Sequence, residues 1–373
     1  MSALGSSLSS DGAAVLADAW LHDLDPFIVR LSGDFGLRWY GLSYSAGFVL
    51  GWVALRFLIA RGAVLIAKER AIDVIFAAAL AAVVGGRLGY CLFYQPSLLW
   101  TFDGGLPFWS VLKLNEGGMA SHGGMIGVAI AAWIISRGVP SEDGERLNRV
   151  PYAHVLDTLA LIAPFGLFLG RLANFVNGEL LGSIVARPGE AAPWWSVRYP
   201  QEVLTGHAPE LSAEQSEAMI VLIDDYRVDA YEEPEIAYER VLDALRRGSE
   251  EVAARLEPLI SARHPSQLYQ ALAEGLVLGV VLWVVAAKPR RPGVLLATTL
   301  VVYGMGRIAT ELFRLPDDHL AVQRFLGLSR GQLLSGVMIA VGVAILAWTW
   351  VRGGEAIGGW WRKTEAPDAG SAA

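Results

Sequence analysis

Cysteine and charge are what this sequence has least of. One cysteine in 373 residues excludes a disulfide framework and a paired redox motif. That cysteine, Cys91, lies inside an apolar run, where a thiol packs as a small hydrophobe. Charged residues make up only 18% of the chain, and acids outnumber bases to leave a formal net charge of −7. A nucleic-acid partner requires a basic stripe against the phosphate backbone, and none is present. Histidines, cysteines and carboxylates do not gather at metal-ligand spacing, so neither a metal nor another cofactor is expected. The N-terminal stretch has no basic segment followed by a clean apolar one, so no cleaved signal peptide is expected and insertion must use internal helices.

What the chain has in abundance is apolar surface. Hydrophobic residues reach 54% and the mean hydropathy is +0.41, above the roughly 45–50% apolar share of soluble domains. The apolar residues gather into runs long enough to cross a ~30 Å hydrocarbon core as helices. The fold class expected is an all-α integral membrane protein of about seven transmembrane helices, over 40–59, 71–94, 118–136, 155–176, 267–287, 293–313 and 333–351. Trp39, Tyr40, Trp100, Trp109 and Trp350 stand near run ends, as interfacial aromatic belts do. Lys and Arg collect after the first run (Arg61, Lys68, Arg70), the third (Arg137, Arg146, Arg149), the fifth (Lys288, Arg290, Arg291) and the seventh (Arg352, Arg362, Lys363). These clusters predict a cytoplasmic C-terminus and an N-terminus outside.

Residues 1–200 then form a membrane domain with helices one to four and outer-face segments, and 263–352 carry helices five to seven. Between them, 201–262 reads as a helical insert on the outer, periplasmic face, where acids outnumber bases roughly three to one. Within it, "PEIAYERVLDALRRGSEEVAARLEPLI" has apolar residues at helical spacing. Residues 353–373 read as a cytoplasmic tail ending in a polar, disordered segment.

Three arginines inside the apolar runs directly follow a glycine: Arg87 in "GGRLGY", Arg171 in "LGRLANF" and Arg307 in "YGMGRIATELFR". An Arg near the bilayer centre costs ~2.5–3.5 kcal/mol on insertion scales, so each needs an internal acid, a snorkelling route or an anionic ligand. Glu311 and Arg314 follow Arg307 by four and seven residues on one helical face, which makes an internal Arg307–Glu311 pair available. A phospholipid headgroup is the anion a set of intramembrane guanidiniums suits best, because Arg forks match phosphate oxygens and stay charged. Asn174 and Asn177 add neutral donors and acceptors nearby.

A proton acceptor is offered by "GGMASHGGMIG", where glycines are read as leaving room around the imidazole of His122. Packing at a helix end is the plainer alternative for that histidine. "RHPSQLYQALAEG" places Pro265 in the first turn of the fifth helix, with Tyr269 and Gln270 facing inward or toward a neighbour. A helix start at the surface accounts for it as well as catalysis does.

Taken together the motifs resemble one family, the bacterial prolipoprotein diacylglyceryl transferases. The resemblance rests on "RWYGLSY" (38–44), "GGRLGYCLFY" (85–94), "SHGGMIG" (121–127), "GRLANFVNGELLG" (170–182), "RHPSQLYQALAEG" (263–275) and "YGMGRIATELFRLPD" (303–317), in family order on successive helices. It covers nearly all of the membrane part. It implies transfer of the diacylglyceryl group from phosphatidylglycerol to the lipobox cysteine thiol at the signal peptide of a prolipoprotein, at the outer face of the cytoplasmic (inner) membrane, with glycerol phosphate released. By motif position it implies His122, Arg171 and Arg307 as catalytic, and Asn174, Glu179, Gly182 and Glu311 as further functional residues, with Tyr40 or Tyr44 less closely matched. With Asn177 and Arg87 added, these make the expected substrate-binding set. A monomer is expected. Gln270 departs from the family's usual Glu, Leu181 from a frequent aromatic, and the acidic insert has no counterpart among the motifs. The rival readings are an arginine-lined transporter or scramblase of anionic lipids, which lacks the inverted repeats such proteins often show, and a lipid-binding scaffold without activity.

Overall fold

In hydrocarbon a backbone can satisfy its N–H and C=O groups only within its own segment, so long apolar runs must become helices. The computed structural model describes residues 19–32, 35–105, 107–113, 117–140, 146–315, 324–325 and 328–361. Its helices are α1 (Trp39–Ala60), α2 (Ala71–Phe93), α3 (Ser121–Ser136), α4 (Tyr152–Asn177), α5 (Ala213–Asp224), α6 (Pro234–Arg246), α7 (Glu250–Leu256), α8 (Ser266–Gln270), α9 (Leu278–Val285), α10 (Val294–Glu311) and α11 (Arg330–Arg352). A π-helical segment, Ala271–Val277, joins α8 to α9 into one continuous rod. Among the described residues, six helices are long and apolar enough to span a membrane, and α3 is a shorter apolar one. The protein is thus a mostly helical, multi-pass membrane protein, and the helices coincide with the seven runs read from the sequence. The third helix starts at Ser121 instead of 118 because Gly117 and Gly118 have φ of +80° and +78°, outside any right-handed helix. The predicted tail beyond Trp361 lies outside the described residues.

The chain divides into two compact units. The membrane unit comprises Tyr40–Arg171, Gln270–Ala309 and Ala321–Ala373. Its core is aliphatic, with Leu55, Leu58, Val74, Val155, Leu278 and Leu282 wholly buried. Phe48, Phe76, Leu80, Ile130, Val337 and Val341 are exposed, as lipid-facing side chains are. Helices α2 and α3 meet through glycines spaced four apart on each. A Cβ on Gly85 would lie 2.4 Å from the carbonyl oxygen of Gly123, one on Gly89 2.7 Å from the Gly123 Cα, and one on Gly127 2.1 Å from the Ala81 carbonyl oxygen. This is small-residue packing, in which missing side chains let backbones touch. The start of α10 is fastened to α4 by Asp157, which accepts the N–H groups of Gly293 and Leu296 at 2.7 Å each.

The second unit comprises Met1–Trp39, Leu172–Tyr269 and Thr310–Leu320. A small sheet orders its short strands as Trp20–Leu21, Val197–Arg198, Ala262–Arg263 and Ile184–Ala186. The acidic insert folds as α5, α6 and α7 around Leu222, Tyr238, Val241, Leu242, Val252 and Leu256. Ser212 and Gln215 form a capping box at α5, Pro234 occupies the first turn of α6, and Ser249 caps α7. The amphipathic run read from the sequence is therefore two helices, parted where Gly248 turns with φ +84°. Both ends of the insert are pinned by a wholly buried ion pair, Arg263 Nε to Glu202 Oε2 at 2.6 Å, with Ser261 N–H donating to Glu202 Oε1 at 2.8 Å. A β-hairpin of Phe27–Ser32 and Phe35–Arg38 is tied to α6 by the two-pronged contact of Arg30 with Asp243, at 3.2 and 3.3 Å.

Candidate active site

The three arginines that follow a glycine in the apolar helices settle in two different ways. Arg87, only 5% exposed, donates to five backbone carbonyls of the loop before α3. Nε reaches Val111 at 2.8 Å, one terminal nitrogen reaches Gly117 and Gly118 at 2.5 and 3.1 Å, and the other reaches Ser110 and Lys113 at 2.7 and 3.1 Å. A guanidinium has five N–H donors, and here each nitrogen is engaged by protein. Arg87 thereby clamps the loop before α3 to α2.

Arg171 and Arg307 are held instead by a single carboxylate, Glu274. Its Oε2 lies 3.1 Å from Arg171 and its Oε1 3.6 Å from Arg307. Glu274 is wholly buried, while the two arginine side chains keep 21% and 15% exposure. Tyr303 lies beside the group on α10, close enough to feel the charges of Glu274, Arg171 and Arg307. Three helices converge to make this contact. Gly275 lets the π segment press on α4: a Cβ there would lie 2.6 Å from Phe168 Cβ and 2.7 Å from its Cα. Gly306, just before Arg307, faces Ala273 with a virtual Cβ contact of 3.4 Å. Gly170, just before Arg171, faces open space, so the glycine-before-arginine pattern marks close packing at one of these two positions and not the other. The sequence reading missed Glu274 and Tyr303. A lone acid inside the run 267–287 was the available signal, since ionisable residues at membrane depth are rarely idle.

His122 is exposed at the start of α3 and makes no side-chain hydrogen bond among the described residues. The neighbouring Gly123 and Gly127 are in close contact with α2. Tyr40, half-buried near the start of α1, stacks on Tyr44 with ring centroids 5.6 Å apart. Gln270 is wholly buried, yet neither side-chain polar atom has a hydrogen-bond partner among the described residues.

The remaining predicted residues belong to the second unit, and two of them, Asn174 and Asn177, meet at Glu179. Asn174 Nδ2 donates to Glu179 Oε2 at 3.2 Å, and Asn177 Nδ2 donates to Glu179 Oε1 at 3.1 Å. The chain turns sharply after α4, with Gly178 at φ +67° and Leu180 at φ +55°, a conformation that costs a non-glycine residue ~1 kcal/mol or more. The turn is held from α8, where Gln267 donates to the Glu179 carbonyl and Ser266 to the Leu180 carbonyl at 2.8 Å. Gly182 has no room for a side chain: a Cβ would sit 2.1 Å from the His264 carbonyl oxygen and 2.9 Å from that of Phe313. Its carbonyl accepts from Arg263 at 3.1 Å. Glu311 closes α10. Burial lowers the pKa of His264, which stacks on Trp195 with ring centroids 5.1 Å apart. Burial likewise pushes His22 down to about 4, and its neutral ring sits between the Phe175 carbonyl at 2.8 Å and the Gln201 amide at 3.2 Å.

Residues 26–348 match the family described as prolipoprotein diacylglyceryl transferase. Among similar proteins, the phosphatidylglycerol–prolipoprotein diacylglyceryl transferase of Bdellovibrio bacteriovorus is 38% identical over 358 residues, covering 92% of this chain and 97% of its own. The protein of the same name from Xanthomonas oryzae pv. oryzae is 36% identical over 336 residues, covering 88% and 92%. That of Neisseria gonorrhoeae is 36% identical over 324 residues, covering 86% and 94%. With the arginine pair on apolar helices and a match that runs nearly end to end, this chain belongs to the prolipoprotein diacylglyceryl transferase family.

Proposed function

We propose that the protein transfers the sn-1,2-diacylglyceryl group of phosphatidylglycerol to the lipobox cysteine thiol of a prolipoprotein, forming a thioether and releasing glycerol phosphate. The observation that carries this reading is the pair of guanidiniums, Arg171 and Arg307, bridged by a buried carboxylate inside apolar helices of a chain from this family. Nothing in the structure favours a lipid transporter.

The reaction makes a sulfur–carbon bond at the glyceryl carbon that carries the phosphate ester and breaks that carbon's bond to the phosphate oxygen. The thiol proton must leave and the departing oxygen gains charge. Arg171 and Arg307 hold the phosphate and stabilise the growing negative charge, a contribution of roughly 2–4 kcal/mol for each well-placed donor. His122, exposed at the start of α3, takes the thiol proton directly or through water. Cys91 is wholly buried and plays no part, because the substrate brings the thiol. Asn174, Asn177 and Glu179 bind polar groups of the substrates, as do Tyr40 and Glu311, while Gly182 keeps the local backbone close-packed. The protein acts as a monomer in the inner membrane, with its N-terminus outside and its C-terminus cytoplasmic, as the Lys and Arg distribution supports.

Purified protein supplied with phosphatidylglycerol and a lipobox peptide is expected to increase the peptide's mass by one diacylglyceryl group and to release glycerol phosphate. No mass increase, in an assay where a known transferase of the family works, would overturn the reading. His122→Ala is expected to lose turnover while the protein still inserts, and full activity of that variant removes His122 from the mechanism.

A further inference from the structure

Glu274 does more than its burial requires. An acid placed between two intramembrane arginines lowers the cost of burying them, but either arginine alone has an easier route, toward its helix end or toward neutral carbonyls as Arg87 has taken. Instead each oxygen of one carboxylate is directed at a different guanidinium. The backbone is arranged for it. Glu274 sits in the π segment, whose wider turn changes the direction of a side chain relative to an α-helix, and such segments recur at functional sites. Gly275, one residue on, has no space for a Cβ against Phe168, so the register of that turn is fixed against α4.

The consequence is electrostatic. Two guanidiniums and one carboxylate sum to a single positive charge. The phosphodiester of a phospholipid carries one negative charge, whereas a phosphomonoester carries about −1.5 to −2 at neutral pH. A site of two bare arginines inside low-dielectric surroundings would hold such a product far more tightly than the substrate, since attraction grows with the product of the charges and is little screened there.

We propose that Glu274 is a positioning residue which aligns Arg171 and Arg307 and matches the charge of the pair to a phosphodiester, so that the more highly charged phosphomonoester product can leave. This rests on the phosphate-binding role given to the two arginines above. It goes beyond that role in assigning the bridging acid to discrimination between substrate and product.

The test compares two soluble anions in the purified, detergent-solubilised protein: glycerol phosphate, and glycerophosphoglycerol as the monoanionic diester. Wild type is expected to bind the monoester no more than about tenfold tighter than the diester at pH 8, and a larger preference overturns the proposal without any variant. In Glu274→Gln the preference for the monoester is expected to rise by at least about fivefold, kcat to fall more than tenfold, and product inhibition to strengthen. Glu274→Asp, which keeps the charge on a shorter arm, is expected to keep the wild-type anion preference while losing rate. Equal weakening of both anions in Glu274→Gln would mark a merely structural acid and overturn the proposal. If wild type fails to modify a lipobox peptide, the transferase reading falls, and the anion preferences still decide the role of Glu274.

Discussion

Arg87 and the Arg171–Arg307 pair present the same problem to the same solvent and solve it oppositely. All three follow a glycine in an apolar helix. Arg87 spends its whole donor set on five backbone carbonyls of one loop, which leaves a satisfied guanidinium and a fixed loop. Arg171 and Arg307 share one carboxylate, which holds two cations close together within three converging helices. A buried charge closed off by neutral acceptors is structural, while like charges kept near each other at a cost call for a ligand. Sequence position alone does not separate the two cases.

The widest separation between them is expected in function. Arg171→Gln and Arg307→Gln should each lower turnover by about 10²–10³-fold, the range for losing one donor to developing charge, with thermal unfolding close to wild type because a side-chain amide can still donate to Glu274. Arg87→Leu should behave in reverse, losing stability by about 3 kcal/mol or more as buried carbonyls lose charged donors. That loss is read from the yield of folded protein and the denaturation midpoint. Wild-type activity in the arginine-pair variants, or unchanged stability in the Arg87 variant, would break the comparison.

A third expectation concerns pH and belongs to the second unit. His22 is neutral in the fold, with its pKa pushed down to about 4 by burial against ~6.5 in an unfolded chain. Its contribution is fully present above pH 6.5, is lost as pH falls toward 4, and levels off below that, amounting to about 3 kcal/mol across the window. Unfolding midpoints measured between pH 4 and 7 should flatten in His22→Gln. A smaller effect of opposite sign is expected of Gln270→Leu. Removing a buried amide that has no partner among the described residues should raise stability by about 1–2 kcal/mol. The smallest is Asp243→Ala, where the partly exposed Arg30 contact should be worth less than about 1 kcal/mol and fade with salt.

Legibility followed the range of the interactions. Helix spans were readable because hydropathy is local, and the described boundaries of α1, α2 and α4 depart from the expected ones by three residues or fewer. Caps such as Ser212 and Ser249 follow from neighbouring residues. The glycines beside His122 were less legible because a glycine's use depends on what faces it: in "SHGGMIG" Gly123 and Gly127 face α2, far earlier in the chain. Glu274 was passed over for a related reason. In α-helical spacing it belongs with Gln270, and only the π segment gives it a different direction.

By itself the sequence determined the solvent this protein lives in, the number and placing of its apolar helices and the family to which its motifs belong, because each is written in composition or in short patterns. Tertiary structure decided which arginine clamps a loop and which two meet. Arg171 and Glu274 are 103 residues apart, and their contact depends on α4, the π segment and α10 approaching within side-chain reach. No local periodicity encodes such an approach; it follows from where glycines let one backbone press against another.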